Sequence, residues 1–245
     1  MKKRYKISLA EVQKFVRSLN RLGTQRSVPY KTNAKQIKEH LERIFDTYQA
    51  DAVLDGDALK NLFFPTQLKD RYRIFISHSS KDAEIIQQFA STLETRLNFP
   101  CFVDWMVWGN LYELQASLDQ KLCNPTPKAT GGVTYSYNLR NYTTAHTHAM
   151  LSMALLDMID QCDICMFVYS DNSTVPNADF NNIETLSPWI YEEISYMNHI
   201  QIKETRLMSE GGNVSPIRIS HPLDLDSFDT LNASTLTQAL TSLNE

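Results

Sequence analysis

The segment of the sequence with the clearest chemical potential carries two adjacent glutamates among apolar and aromatic residues. It reads SPWIYEEISYM over residues 187–197, and its glutamates are Glu192 and Glu193. Ser187 is a favourable N-cap and Pro188 suits the first helical position, so the sequence predicts a helix that begins here. Which of the two carboxylates performs chemistry, if either does, depends on the face of the helix that each one occupies.

Helical geometry separates the two glutamates. With Trp189 placed at zero and about 100° per residue, the apolar face is centred at about 50°, Glu193 falls at about 40° and Glu192 at about 300°. Glu193 therefore points into the apolar face, one turn below Trp189, whereas Glu192 lies at its rim, toward solvent. A carboxylate on an apolar face must be paired, protonated or open to a cleft. A structural role and a functional site are both open at this point.

The composition is that of an ordinary globular protein. The chain has 245 residues, of which 42% are hydrophobic and 21% charged, which favours one core domain with an appendage. No window approaches 18 consecutive apolar residues, so we expect a cytoplasmic protein that does not contact the membrane. The four cysteines are too few for a disulfide framework, as in a reducing compartment.

Positive charge is concentrated at the start of the chain. Residues 1–46 contain 12 Lys and Arg against 4 Asp and Glu, and the rest contains 12 against 24. A basic appendage could contact nucleic acid, an acidic membrane or an acidic partner, but a solvated helix face is the commoner explanation. Its aromatic residues Phe15, Phe45 and Tyr48 lie on apolar stripes, so a nucleic-acid partner is not expected.

Residues 1–68 are predicted to form a small, basic, all-helical accessory domain. Ser8 and Glu11 have the spacing of a capping box at the start of a first helix, which Gly23 ends. A second helix is predicted from about Asn33, and a short third helix over residues 56–63.

From residue 71 the sequence alternates between strands and amphipathic helices. This alternation predicts a parallel sheet that is covered on both faces. The predicted strands are YRIFIS (72–77), CFVDW (101–105), DICMFVYS (163–170) and VSPIRIS (214–220), with helices that include Leu111 to Leu122 and about 149–159.

Two polar stretches interrupt the alternation. Residues 123–145 are predicted to form a long loop or a hairpin, of the kind that often serves as a lid. Residues 171–187 form a second polar loop beyond the carboxyl end of a strand, which is where open parallel sheets bind ligands. The chain contains neither GxGxxG nor a P-loop motif, so any nucleotide must be held by other means.

Two candidate metal sites have little support. Cys162 and Cys165 form a close pair, but metal sites usually need a second pair at similar spacing. His146 and His148 are likewise without a nearby carboxylate or third ligand in the sequence. We therefore predict no metal ion.

Four segments of the sequence stand out together for their order, spacing and predicted secondary structure. They are IFISHSSKD (74–82), FVDW (102–105), CDICMFVYSDNS (162–173) and SPWIYEEISY (187–196). Together they resemble the Toll/interleukin-1 receptor (TIR) domain family, particularly its bacterial members, over about residues 71–220. The resemblance implies a flavodoxin-like parallel sheet. The expected organisation is a helical domain over 1–68 and a TIR-like α/β domain over 69–245, with a long insertion at about 106–144.

The resemblance also implies an activity, namely cleavage of NAD+ at the nicotinamide glycosidic bond. In such TIR enzymes the catalytic glutamate follows a tryptophan by four residues, a pattern that Trp189 and Glu193 match and Glu192 does not. Loss of nicotinamide leaves an oxocarbenium-like ribose, which a carboxylate can stabilise. Trp189 could stack on a ring, although ordinary core packing explains a tryptophan equally well.

Further pocket residues follow from the resemblance. Ser77, His78 and Ser79, after the first predicted strand, match positions that line the nucleotide pocket, and Asp104 ends the second predicted strand on the same edge. For each of them a turn or capping role is an open alternative.

The leading hypothesis is a TIR-domain NAD+ hydrolase or ADP-ribosyl cyclase in bacterial antiphage immune signalling, for which NAD+ is a substrate and no cofactor is needed. Self-association through TIR domains is expected, with an upstream sensor or a downstream effector as possible partner. The alternative hypothesis is a non-catalytic TIR module that binds other proteins.

Overall fold

In the computed structural model, the described residues are 2–20, 39, 55–67, 71–109, 111–129, 131–176, 183–200 and 221–242. They fall into two compact units. The first is drawn from Met1–Val28, Arg71–Val103 and Met158–Glu245, and the second from Pro29–Asp70 and Asp104–Asp157.

The described elements alternate along the chain. The strands are β1 (Lys3–Ser8), β2 (Ile74–Ser77), β3 (Cys101–Phe102), β4 (Thr126–Pro127), β5 (Val133–Thr134), β6 (Ile164–Tyr169), β7 (Val175–Pro176), β8 (Ile183–Thr185), β9 (His221–Pro222) and β10 (Asp229–Leu231). The helices are α1 (Leu9–Asn20), α2 (Gly56–Phe63), α3 (Ala83–Leu97), α4 (Asp104–Trp108), α5 (Leu111–Leu122), α6 (Tyr137–Gln161), α7 (Pro188–His199) and α8 (Ala233–Thr241), with a 3-10 turn at Ser80–Asp82.

The first unit is built on a five-stranded sheet with the order β10-β1-β6-β2-β3. All four pairings are parallel, and Ile164 of β6 lies opposite both Lys3 and Ile74. The predicted α/β class with a parallel sheet is therefore confirmed. Strand β6, whose residues from Ile164 to Val168 are buried, occupies the centre, as expected for a continuous apolar run.

One layer of helices packs beside this sheet. Helix α1 contacts α3 and α8, and the Phe15 and Phe89 rings meet edge to face with centroids 5.8 Å apart. Such pairs add to the stabilisation that comes from burying the two rings. The predicted capping of α1 is present in part, because the Glu11 amide donates to Ser8 Oγ at 3.2 Å. The Glu11 carboxylate instead accepts from the Ala233 amide at 3.0 Å, which joins α1 to α8.

The prediction that residues 1–68 form a separate helical domain is wrong for the beginning of this segment, although the predicted first helix is present as α1. Lys3–Ser8 form strand β1, which pairs with β6 on one side and β10 on the other, and α1 packs within the same unit. The alternation of Tyr5 and Ile7, which are buried, with basic residues is the period of a strand with one buried face. The predicted second helix near Asn33 and the end of the first at Gly23 lie outside the described residues.

The segment predicted as an insertion at about 106–144 belongs to the second unit, and its predicted helix over Leu111–Leu122 and the hairpin predicted after it are confirmed. This segment contains α4, α5 and a short β4-β5 hairpin, and α6 begins at Tyr137 rather than near residue 149. The predicted short third helix is confirmed as α2, and it belongs to this unit. Trp108 connects α4 to the residues that follow α2, since its indole N–H donates to the Pro65 carbonyl at 3.1 Å and its ring packs edge to face on Phe64.

A buried carboxylate organises the hairpin side of the second unit. Asp119 accepts from Gln115 Nε2 at 2.8 Å and pairs with Arg140 Nε at 2.9 Å. The backbone of this region is also tied, because the Ser136 amide donates to the Cys123 carbonyl at 2.8 Å. The residues after α5 thus form an ordered connection into α6.

None of the described helices combines the length and the apolar composition that a membrane crossing needs. The predicted strand over residues 214–220 lies outside the described residues.

Candidate functional site

The helix that carries the two glutamates begins as the sequence predicts. Ser187 is the N-cap of α7 and its Oγ accepts from the Ile190 amide at 3.3 Å, while Pro188 takes the first helical position. The face predicted to be apolar is the buried one, with Ile190, Ile194 and Met197 in the core. Glu193 lies on this face with only 5% of its surface exposed.

Glu193 is held by a residue of strand β2. Ser77 Oγ donates a hydrogen bond to Glu193 Oε2 at 2.6 Å, in a contact that spans 116 positions of the sequence. Ser77 is the last residue of β2 and is fully buried. A short hydrogen bond from a hydroxyl to a carboxylate fixes the orientation of the carboxylate, and charge makes such bonds stronger than neutral ones.

The neighbours of Glu193 on α7 have different surroundings. Trp189, one turn earlier, is half-buried. Glu192 is also half-buried and accepts a hydrogen bond from the Tyr196 hydroxyl at 2.7 Å, one turn later on the same helix. The expectation that Glu192 merely faces solvent is therefore incomplete, because its carboxylate has a partner on the helix surface.

His78 and Ser79 continue from Ser77 into the turn after β2, and both are largely buried. His78 Nδ1 lies 3.4 Å from the Ile76 carbonyl oxygen. Ser79 is the N-cap of the 3-10 turn, where its side chain accepts from the Lys81 amide at 3.4 Å and its carbonyl accepts from the Asp82 amide at 2.9 Å. The capping role left open by the sequence is thus present for Ser79.

Asp104 does not end a strand, contrary to the prediction. Strand β3 stops at Phe102, and Asp104 is the first residue of helix α4 in the second unit. An acidic residue in the first helical turn interacts favourably with the helix dipole, which gives Asp104 a local structural role. The site described here is built from the first unit only.

A second buried carboxylate at the same edge of the sheet was not predicted. Asp82 is 6% exposed and accepts from Ser170 Oγ at 2.5 Å and from Asn172 Nδ2 at 2.7 Å. Ser170 directly follows β6, so Asp82 joins the turns after two adjacent strands. Asp82 stands within the segment IFISHSSKD, where the sequence indicates only a polar turn, and nothing in the sequence identifies its partners.

The site lies where the direction of the chain connections changes. From β2 the chain passes through α3 to β3 on one side, while β6 leads through α7 toward β10 on the other side. The turns after β2 and β6 therefore diverge at the carboxyl edge of the sheet. Open parallel sheets bind ligands at such switch points. Glu193, Ser77 and the turn after β2 accordingly occupy a position suited to a ligand.

The groups assessed for metal binding have other surroundings. Cys162 and Cys165 are buried, and burial raises the pKa of the Cys165 thiol to about 12 and that of Cys162 as well, which keeps both thiols neutral. His146 is exposed and its ring lies 4.4 Å from that of Tyr142. Within the described parts of the chain, no cluster of three or more His, Cys, Asp or Glu side chains could hold a metal ion.

Comparison of the chain with protein-family models, with curated proteins and with solved structures finds no match.

Proposed function

We propose that this chain is a TIR-domain enzyme that cleaves NAD+ at the nicotinamide glycosidic bond, as an NAD+ hydrolase or an ADP-ribosyl cyclase. The observation that carries the proposal is the buried Glu193 carboxylate, held by Ser77 at 2.6 Å with Trp189 one turn away. The resemblance implies that the motifs of Ser77 and Glu193 line one pocket. Their contact across 116 positions supports that implication.

Glu193 is the proposed catalytic residue. As the glycosidic C–N bond breaks, its electron pair leaves with the nicotinamide nitrogen, and positive charge develops on the ribose. A carboxylate beside the ribose stabilises this charge, and a preorganised carboxylate does so at little reorganisation cost. Water then forms the new bond to the ribose carbon and releases a proton, or a nucleophile within the ADP-ribose closes a ring.

The order of the strands also supports a flavodoxin-like TIR sheet. The strands of the first three TIR-like segments lie next to one another as β3-β2-β6, so the second, first and third are adjacent. A flavodoxin-like sheet has the order 2-1-3 at this point. The next position is taken by β1, which precedes the TIR-like region in the chain. We propose that the fold is a TIR variant in which an N-terminal strand completes the sheet.

The proposal is tested by NAD+ turnover. Purified full-length protein, at high concentration to allow assembly, is incubated with NAD+, and free nicotinamide is measured. Glu193→Gln keeps the size of the side chain and an acceptor for Ser77, so it removes only the charge. Removal of a preorganised group that stabilises the transition state reduces kcat by about 100-fold or more.

Glu192→Gln is the matched control. Its amide oxygen still accepts from Tyr196, and the site is one position away on the same helix. This variant is expected to keep the turnover of the unaltered protein. Retained turnover in Glu193→Gln, or an equal loss in both variants, contradicts the assignment. Mass spectrometry of the products distinguishes ADP-ribose from a cyclised nucleotide.

A second candidate function is a non-catalytic TIR module that binds other proteins, and one observation favours it. Ile183, Leu186 and Tyr191, on β8 and near the start of α7, are apolar side chains with 39–40% of their surface exposed. Apolar groups exposed together often mark protein contacts. Such contacts also suit self-association, which TIR enzymes use to complete their sites. Absence of nicotinamide release from an assembled protein favours the module.

The proposed biological role depends on the proposed activity. The resemblance implies bacterial antiphage immune signalling, with an upstream sensor that activates the chain or a downstream effector that binds its product. A cytoplasmic location agrees with NAD+ as substrate. Loss of phage protection on Glu193→Gln substitution in a bacterial host, with protection kept by Glu192→Gln, is the matching test in cells.

A further inference from the structure

A continuous set of hydrogen bonds begins at Asp82 and runs along the edge of the sheet. Asp82 accepts from the Ser170 hydroxyl, and the Ser170 amide donates to Ser173 Oγ at 2.7 Å. Ser173 Oγ in turn donates to the Ser170 carbonyl at 3.1 Å, which closes the turn after β6. Ser173 is 2% exposed, so its hydroxyl is satisfied within the protein.

Thr185 extends these hydrogen bonds to helix α7. Its Oγ1 donates to the Ser173 carbonyl at 2.8 Å and accepts from the Ser187 amide at 3.1 Å. Thr185 is fully buried at the end of β8, where the strand pairs with His221. A hydroxyl that is donor to one segment and acceptor for the next fixes their separation, because loss of either bond leaves a buried polar group unpaired.

The residue that Thr185 holds is the N-cap of α7. The Ser187 side chain accepts from the Ile190 amide and the Ser187 carbonyl accepts from the Tyr191 amide at 3.1 Å. The position of the first turn of the helix is thus fixed relative to Thr185. Glu193 lies within the following turn, and its carboxylate meets Ser77 at the end of β2.

The turn after β2 is held by a hydrogen bond at each of its two ends. Ser77 contacts Glu193 directly, and Asp82, at the end of the same turn, contacts Ser170. The series of hydrogen bonds from Asp82 through Ser170, Ser173 and Thr185 to Ser187 therefore returns to the helix that carries Glu193. Positioning through such a closed path matters because small displacements of a reacting group have large effects on rate.

We propose that Thr185 is a positioning residue for the reaction: through the N-cap of α7 its hydroxyl holds Glu193 against Ser77. This inference rests on the proposed function. The hydroxyl does not contact substrate and acts only through Ser187 and the helix that follows it.

The test compares Thr185→Val with Thr185→Ser in the full-length protein. Valine keeps the shape of the side chain and removes the hydroxyl, whereas serine keeps the hydroxyl. For Thr185→Val we expect kcat for NAD+ to fall about 10- to 100-fold with KM changed less than about 3-fold, as expected when a reacting group is displaced. For Thr185→Ser we expect kcat to return to within about 3-fold of the unaltered protein.

Amide hydrogen exchange gives a readout that does not depend on activity. In Thr185→Val, the amides of Ser187 and of residues 189–194 are expected to exchange about 10-fold faster, since local opening of the first turn becomes easier. Thr185→Ser is expected to keep the exchange of the unaltered protein. Ser195→Ala, which removes a hydroxyl that donates to the Tyr191 carbonyl of the same helix, is the control and leaves both readouts unchanged.

The outcomes separate this inference from the proposed function. Equal exchange over 187–194 in Thr185→Val and Thr185→Ser overturns the positioning role, whatever the activity. Absence of NAD+ turnover in the unaltered protein overturns the proposed function, and the exchange comparison then still decides whether Thr185 holds α7. If Thr185→Val has no cooperative thermal transition, Thr185→Ala, which also removes the hydroxyl, takes its place in the same exchange comparison with Thr185→Ser.

Discussion

The candidate site depends on one contact between two side chains. The sequence places Glu193 on the buried face of α7, because a helical period and a proline N-terminus are local properties. It gives no means of identifying Ser77 as the hydrogen-bond donor to that carboxylate, because the two residues are 116 positions apart. Ser77 was predicted as a residue of the pocket, and the structure adds a specific role for its hydroxyl.

Removal of the Ser77 hydroxyl tests that role. In Ser77→Ala the carboxylate of Glu193 loses the donor to Oε2, and we expect kcat for NAD+ to fall about 10-fold or more, since a hydrogen bond to a charged group contributes about 1.5–3 kcal/mol. The measurement is steady-state NAD+ turnover by the purified protein, with its folding checked by thermal unfolding.

Ser91→Ala is the matched control for this prediction. Ser91 is also a buried serine of the first unit, but within the described part of the chain its Oγ has no hydrogen-bond partner. Its replacement is expected to leave kcat unchanged. A loss in Ser91→Ala equal to that in Ser77→Ala indicates a general effect of core serines and contradicts the specific role.

Among the elements, those with strong internal periodicity were predicted best. The start of α7, helix α5 and the buried strand β6 follow the sequence closely, because capping residues and apolar runs act locally. Strand β3 was predicted too long, since Asp104 favours the first turn of a helix. Strand β8, which carries Thr185, was read as part of a polar loop, because a three-residue strand offers too few positions for a period.

Contacts between elements were the least predictable. The Glu11 carboxylate was expected to cap its own helix, yet it accepts from the Ala233 amide at the start of α8. This hydrogen bond, followed in importance by the one from Lys14, lowers the pKa of Glu11 below its ordinary value. The charged form is therefore favoured in the folded protein.

This contact predicts a dependence of stability on pH. A carboxyl whose pKa is lowered on folding stabilises fully above its unfolded pKa, and the contribution is lost as the pH falls through the folded pKa. Glu11→Gln is therefore expected to lower the thermal unfolding temperature at about pH 7, with the difference narrowing toward about pH 3. Thermal unfolding followed by circular dichroism at a series of pH values measures this.

Glu84→Gln provides the comparison for Glu11→Gln. Glu84 is likewise an acidic residue in the first turn of a helix, α3, so it shares the interaction with the helix dipole. The pH-dependent difference is expected to be larger for Glu11→Gln. Equal effects in the two variants attribute the difference to the helix end alone and contradict the role of the Ala233 contact.

For the molecule as a whole, the main departure from the sequence-based expectation is the place of its first strand. Charge clustering in residues 1–46 suggested a separate basic domain. Arg4 and Lys6 instead belong to β1, and their side chains form hydrogen bonds within the first unit. Arg4 donates to Asn198 Oδ1 at 2.9 Å, and Lys6 to the Leu225 carbonyl at 3.2 Å. The alternation of Tyr5 and Ile7 with basic residues was the available indication of a strand, but the concentration of charge favoured the prediction of a separate domain.

Truncation tests this placement. A chain that begins at residue 9 lacks β1, and since β1 has a neighbour on each side, the sheet is left with a gap between β6 and β10. We expect this chain to lose its cooperative unfolding transition and to aggregate. Circular dichroism and size-exclusion chromatography provide the measurement. The Lys3→Ser variant, altered at an exposed position of the same strand, is expected to fold normally. Cooperative folding of the truncated chain contradicts the placement.

The internal position of β1 has a consequence for biosynthesis. Its partners begin only at Ile164 and Asp229, so the nascent strand is made long before either neighbour exists. At ordinary translation rates of about 5–20 residues per second this delay is about 10 s or more. During it, Lys3, Arg4 and Lys6 act as gatekeepers, since charges within an unpaired strand oppose aggregation. The positive charge at the start of the chain thus protects a strand that is made first and pairs only after residue 164 has been made.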